Sequence, residues 1–299
     1  MLANASIVHA IAHTLKTQPS PPQLVVDPVC VSTSGYTLLE HEALSALTGE
    51  LLPLATVLTP NIAEASLLLE HQHRHTRDPR SITSIEDMLR AARELCALGP
   101  RAVLLKGGHI MMARAATRLA DVEATVAAAA GQQVLRIECE GLMSSNANME
   151  ILLQAAVQDP AANVSDAPVV VDVFCERDDR GEGGGEGRCT LFVKPYLNSS
   201  STHGTGCTLS AALACALARG DTRTLSALPV EILSFSLCFV GRAKVVEAVR
   251  FATTYTHQGI ATAFPVGSGH GPLNHMHPLL PRTVQRRVLS PPADVESFS

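Results

Sequence analysis

A chain of 299 residues with 46% hydrophobic and 17% charged residues is too apolar for intrinsic disorder, and its length suits one large mixed α/β unit. With no Trp and 3% aromatic residues, its core must be built from Leu, Val, Ile and Ala, which disfavours an aromatic-rich sandwich or a stacking RNA-binding sheet. The formal net charge of −5 leaves no electropositive footprint for nucleic acid or for an anionic membrane.

The opening MLANASIVHAIAHTLK lacks a basic start and a continuous apolar stretch, so it does not read as a secretory signal, and the cytoplasm is the expected compartment. Residues 23–27 form a short apolar run ended by Pro28, as a buried strand would, and a helix is expected over 40–52. Thr56, Val57 and Leu58 read as a second strand, stopped by Thr59-Pro60. Asn61-Ile62-Ala63-Glu64 then has the spacing of a capped helix start. Helical spacing recurs over 85–98, and 102–105 is a third strand ended by Lys106-Gly107-Gly108. This alternation predicts parallel β-α units.

From about 110 to 168 the rhythm is lost and the segment reads as an insertion, with helical spacing only over 149–157. Residues 169–174 and 189–193 are strand-like and flank a polar stretch, 176–188, whose GEGGGEG core suits a hairpin loop rather than a phosphate cradle. Leu209, Ala212, Leu213, Ala216 and Leu217 mark one apolar helix stripe, and a further helix is expected over 229–255. Residues 281–299 read as a tail. The eight cysteines contain no C-x-x-C pair, so neither a zinc ribbon nor a disulfide framework is expected, and most should be buried thiols.

Asp27, Glu64, Lys106 and Cys207 each follow a strand or open a helix. Open parallel sheets bind ligands beyond the carboxyl ends of their strands, so the four are expected to meet in one crevice. In Ser201-Thr202-His203-Gly204-Thr205-Gly206-Cys207-Thr208, two glycines precede an amphipathic helix whose first-turn N–H groups and macrodipole favour an anion. The same field lowers a thiol pKa and would poise Cys207 as a general base. Plainer readings stand beside these. Glu64 completes a capping box, Asp27 makes a local turn bond, Lys106 is a solvated strand-end lysine, and Cys207 sits in a tight turn. His203 with Cys207 invites a hydrolase reading but nothing marks a third orienting group. His270, His275 and His277 fit a loop packed beside the site better than a metal cluster.

VVDPVCVSTSG (25–35), LLPLATVLTPNIAEASLLL (51–69), VLLKGGH (103–109), STHGTGCTLSAALACALARG (201–220) and GSGHGPLNH (267–275) together resemble the hydroxymethylpyrimidine/phosphomethylpyrimidine kinases of thiamine biosynthesis, in their fungal form. The resemblance implies a ribokinase-like three-layer α/β fold with a mostly parallel central sheet over residues 1–280. It implies ATP and Mg²⁺ as cofactors, and a small-molecule substrate, hydroxymethylpyrimidine or its monophosphate. By the same carry-over, Gly204, Thr205 and Gly206 form an anion hole, Cys207 activates the substrate hydroxyl, and Lys106 with Thr205 holds the ATP phosphates. Asp27 and Glu64 would organise Mg²⁺. Family members carry a Gly/Ala-rich loop and strands ahead of a Gly-Met-Leu sequence that Met1-Leu2 resembles, so the expected sheet lacks its N-terminal strands and Met1 is a substrate-binding residue. A thiaminase-II-like domain often follows in the fungal form. A pyridoxal-type vitamin kinase, or a paralogue that binds nucleotide without catalysis, is the alternative, and a homo-oligomer is left open.

Overall fold

The computed structural model describes residues 2, 4–31, 37–72, 81–108, 119–128, 135–139, 168–177, 188–199, 201, 203–219, 245–264, 266 and 271–279. Contacts divide the chain into two units, Met1–Tyr196 and Leu197–Ser299.

Among its described residues the first unit has six strands: β1 (Val25–Val26), β2 (Val57–Leu58), β3 (Ala102–Leu105), β4 (Leu135–Cys139), β5 (Val169–Glu176) and β6 (Cys189–Pro195), in the order β1-β2-β3-β5-β6-β4. β1, β2 and β3 pair in parallel, β5 runs antiparallel to both β3 and β6, and β4 is parallel to β6. Only β5 therefore opposes the common direction, which agrees with the mostly parallel sheet expected. The helices of this unit are α1 (Ala5–Lys16), α2 (His41–Ala46), α3 (Ile62–Gln72), α4 (Ile85–Ala97) and α5 (Leu119–Ala128).

Each element follows from its residues. Asn4 caps α1, its side chain accepting the Ile7 N–H at 3.1 Å, and the helix buries Val8 and Ala12. α2 runs into a π turn at Leu47–Leu51 and a 3-10 turn at Leu52–Leu54, where Pro53 cannot extend a helix. α4 begins with a reciprocal cap: Ser84 accepts the Asp87 N–H while the Asp87 carboxylate accepts the Ser84 N–H. Its buried side chains, Met88, Leu89, Ala92, Leu95 and Cys96, join Val103, Leu105, Val171, Val173 and Leu191 in one apolar cluster. Fully buried side chains such as Leu95 and Leu105 contribute about 1.5–3 kcal/mol each relative to exposure.

Three expectations need correction. The stretch expected to lack β-α rhythm contains α5 and the edge strand β4, the latter reading Leu-Arg-Ile-Glu-Cys with the alternation of a strand. The residues around the helical spacing at 149–157 lie outside the described residues. Second, Cys175 and Cys189, expected to be reduced, form a disulfide with their Cα atoms 4.2 Å apart. The antiparallel register puts them directly opposite one another, a proximity that spacing along the chain does not reveal. Third, among the described residues Cys207 and Cys215 are exposed free thiols, while Cys30 and Cys96 are buried ones.

In the second unit, α6 (Thr205–Arg219) and α7 (Val245–Ala261) pack together. The α6 stripe behaves as its spacing predicts, with Leu209, Leu213, Ala216 and Leu217 buried. α7 extends six residues past the expected end at Tyr255, and residues 229–244 of the expected helix lie outside the described ones. The loop after α7 folds back on it: Asn274 donates its backbone N–H to the Gly259 carbonyl at 2.9 Å and its side-chain amide to the Thr262 carbonyl at 3.3 Å. His277 is buried, its Nε2 3.1 Å from the Tyr255 carbonyl oxygen, and His275 stacks on the Tyr255 ring, so both serve packing. His270 lies outside the described residues, as do residues 281–299.

Candidate active site

The short parallel strands end together, and their ends carry the chemistry. β1 leads into Asp27-Pro28-Val29-Cys30. Val29 has φ 41°, a left-handed conformation that a β-branched residue adopts only where its surroundings impose it. The reversal buries Cys30 and sets its backbone N–H beside the Glu64 carboxylate. β2 leads into Thr59-Pro60-Asn61, and β3 into Lys106, whose N–H bonds to the Pro60 carbonyl at 2.9 Å. That bond extends the β2–β3 ladder by one bridge, between Asn61 and Lys106.

Three of the predicted residues meet here. Lys106 donates from Nζ to Asp27 Oδ1 at 3.1 Å, and both side chains are mostly buried. The hydroxyl of Thr59, fully buried, donates to the same Asp27 oxygen at 3.3 Å. Asp27 is thus held by residues 32 and 79 positions away and makes no local turn bond among these contacts. Glu64 does complete the capping box: its carboxylate accepts the Asn61 N–H at 2.8 Å and the Asn61 side chain accepts the Glu64 N–H at 2.9 Å. It is also a buried carboxyl, only 3% exposed. Burial raises its pKa and the neighbouring Asp27 charge adds to this, while the Asn61 N–H, the Lys106 ammonium and the Cys30 N–H pull in the opposite direction. The capping role and a place in an acidic cluster coexist in one side chain.

Two carboxylates and one ammonium at the carboxyl ends of adjacent parallel strands form an arrangement suited to a polyanion with its cation. The donor set fits Mg²⁺, which takes few carboxylates and completes its shell with water and phosphate oxygens. A buried Glu64 beside Asp27 is relieved by an added cation, because burial and like charge both disfavour its ionised form. The Cys30 thiol is no candidate nucleophile: burial, then Glu64 and Asp27, push its pKa up to about 12.

The second unit carries the other motif. Gly204, at φ +80°, adopts the left-handed turn into α6, a conformation favouring glycine. Thr208 makes the first helical bond, to the Gly204 carbonyl at 2.9 Å, so the amides of Thr205, Gly206 and Cys207 lie in the turn ahead of it. Cys207 stands exposed in that first turn, as does His203 just before it. Gly271 is pressed against the segment leading into the motif, where a Cβ would come 2.5 Å from Ser201 Oγ. Met1, the expected substrate contact, lies outside the described residues.

A sequence model of phosphomethylpyrimidine kinases matches residues 1–148 and 164–227, which include Asp27, Glu64, Lys106 and the Gly204–Cys207 turn. The chain belongs to the phosphomethylpyrimidine kinase family. Among curated members, a Schizosaccharomyces pombe protein named as a hydroxymethylpyrimidine/phosphomethylpyrimidine kinase is 31% identical over 277 residues, covering 92% of this chain and 36% of that one. A Mycobacterium bovis kinase of the same name is 29% identical over 92% of this chain and 66% of its own length. A Mycobacterium leprae one is 31% identical over 95% and 68%. The chain therefore spans roughly a third to two thirds of these relatives. The fold is shared with pyridoxal kinases solved from Bacillus subtilis (TM-score 0.54, 23% identity, 92% of this chain and 68% of that one) and Staphylococcus aureus (TM-score 0.53, 21%, 92% and 65%).

At the first unit's site, sequence reasoning passed over two groups. Thr59 anchors Asp27, and Asp172 accepts the Gly107 N–H at 3.0 Å. Asp172 carries a readable signal, a single charge inside the apolar run Val-Val-Val-Asp-Val-Phe of β5.

Proposed function

We propose that this chain is an ATP-dependent kinase that phosphorylates hydroxymethylpyrimidine and its monophosphate, acting in the cytoplasm. Family membership supports the reaction class, and the curated relatives' names support the substrate. The observation that carries the reading is the cluster of Asp27, Lys106 and Glu64 at the ends of β1, β2 and β3.

Phosphoryl transfer asks a protein chiefly for positioning and charge neutralisation. Lys106, released from Asp27, binds phosphate oxygens of ATP. Asp27 and Glu64 would hold Mg²⁺, which when bound would neutralise charge on the phosphates. The first-turn amides of α6 and the Gly204–Gly206 turn stabilise the phosphoryl group in transit. Cys207 takes the proton of the substrate hydroxyl as that oxygen bonds to the γ-phosphorus. The bond between the γ-phosphorus and the bridging oxygen breaks, and ADP leaves with that electron pair.

The test is ADP production from Mg-ATP with the pyrimidine, its monophosphate and pyridoxal supplied separately. Turnover with both pyrimidines, falling about 10²–10⁴-fold in Cys207→Ala with nucleotide binding retained, is the expected result. Turnover confined to pyridoxal, or nucleotide binding with no turnover on any substrate, overturns it.

A further inference from the structure

Asp172 and Lys194 form a buried ion pair that the reaction described above does not use. Lys194 Nζ lies 2.6 Å from Asp172 Oδ2, and the two side chains are 8% and 10% exposed. They sit on β5 and β6, where Asp172 faces Phe192 and Lys194 faces Val170, so the pair is a diagonal cross-strand contact on one face of the hairpin. A buried ion pair is weak evidence of stabilisation, since desolvation offsets most of its attraction. What it accomplishes geometrically is more telling.

The second carboxylate oxygen, Oδ1, accepts the backbone N–H of Gly107 at 3.0 Å. The β3–β5 ladder ends with Leu105 opposite Val173, so Lys106 and Gly107 leave the strand alongside Asp172 and Val171. Gly107 lies so close that a Cβ would come 1.9 Å from the Val171 carbonyl oxygen. The peptide following Lys106 is therefore held from two sides, by the absence of a side chain at Gly107 and by the Asp172 carboxylate.

We infer that Asp172, charge-balanced by Lys194, is a positioning residue that fixes the Lys106–Gly107 peptide and thereby aims the Lys106 ammonium at the phosphate site. This rests on the kinase reading for what Lys106 binds. Lys194 compensates the charge of Asp172 and holds its carboxylate in place.

Two double variants separate aiming from simple stabilisation, because both remove the buried charges and they differ in the acceptor. Asp172→Asn with Lys194→Met keeps a carbonyl oxygen for the Gly107 N–H, and Asp172→Ala with Lys194→Met does not. Calorimetry with Mg-ADP should give near wild-type affinity for the Asn double variant and a loss of about tenfold or more for the Ala one, the order expected when a binding group is misplaced. Amide hydrogen exchange at Gly107 should quicken only in the Ala variant, with Leu104 as the internal reference. Equal affinities and equal exchange in the two variants overturn the inference while leaving the kinase reading intact. Failure of the wild-type chain to bind Mg-ADP overturns that reading and this role with it, whereas the exchange data report separately on the turn.

Discussion

Gly107→Ala is the sharpest perturbation of the strand ends that make the site. The new Cβ would start 1.9 Å from the Val171 carbonyl oxygen, and real Cβ atoms essentially never come within 3.0 Å, so the two backbones must part by about 1.1 Å. That obstacle is backbone, not the far end of a flexible side chain. The carbonyl belongs to β5, whose spacing from β3 is fixed by the ladder from Ala102 to Leu105. Over-packing typically costs about 1–3 kcal/mol, and a backbone obstacle puts this case at the upper end. Because the displaced peptide adjoins Lys106, Mg-ADP affinity should also fall, by up to about 100-fold for a displacement of this size. The control is the adjacent Gly108→Ala, whose Cβ meets nothing within 4 Å and which should stay within about 0.5 kcal/mol of wild type. Urea denaturation of the three proteins, followed by nucleotide titration of those that fold, decides it. Equal midpoints for the two alanine variants would refute the steric reasoning.

Two further outcomes follow from the charged groups. Glu64 has a raised pKa in the fold, so it retains its proton to higher pH than in the unfolded chain, and its contribution declines as pH rises above about 4.5. Glu64→Gln keeps the capping geometry, and its stability relative to wild type should rise as pH is raised above about 4.5 in urea melts, while Mg²⁺-dependent nucleotide binding is lost. A relative stability that stays flat or falls as pH rises would count against the burial argument. Asp87 behaves oppositely: burial pushes its pKa up, but the Thr83 N–H, Arg90 and the Thr83 hydroxyl outweigh this and bring it down to about 2. Asp87→Ala should cost about 0.5–2 kcal/mol at neutral pH through loss of the α4 cap, a deficit that shrinks in melts taken below pH 3.8 towards 2 as the wild-type carboxylate protonates.

Local rules determined much of this protein. Apolar runs ended by Asp27-Pro28, Thr59-Pro60 and Lys106-Gly107 marked β1, β2 and β3 and placed the chemistry at their ends, because a parallel sheet gathers its strand termini along one rim. The Asn61–Glu64 cap and the α6 stripe were equally legible, since each depends on neighbours within a turn or two of helix. What local sequence leaves open is whatever depends on register. Cys175 meets Cys189, and Asp172 reaches Lys194 and Gly107, only once β5 has chosen its alignment with β6 and β3. The same holds for β4, whose alternation is readable but whose place beside β6 is not. It holds for Glu64 too: its spacing predicts a cap, and only packing against Asp27, Cys30 and Lys106 turns that cap into a buried, raised-pKa carboxyl. Pairing across a sheet is a long-range decision made by the whole core, and no short window of sequence contains both partners.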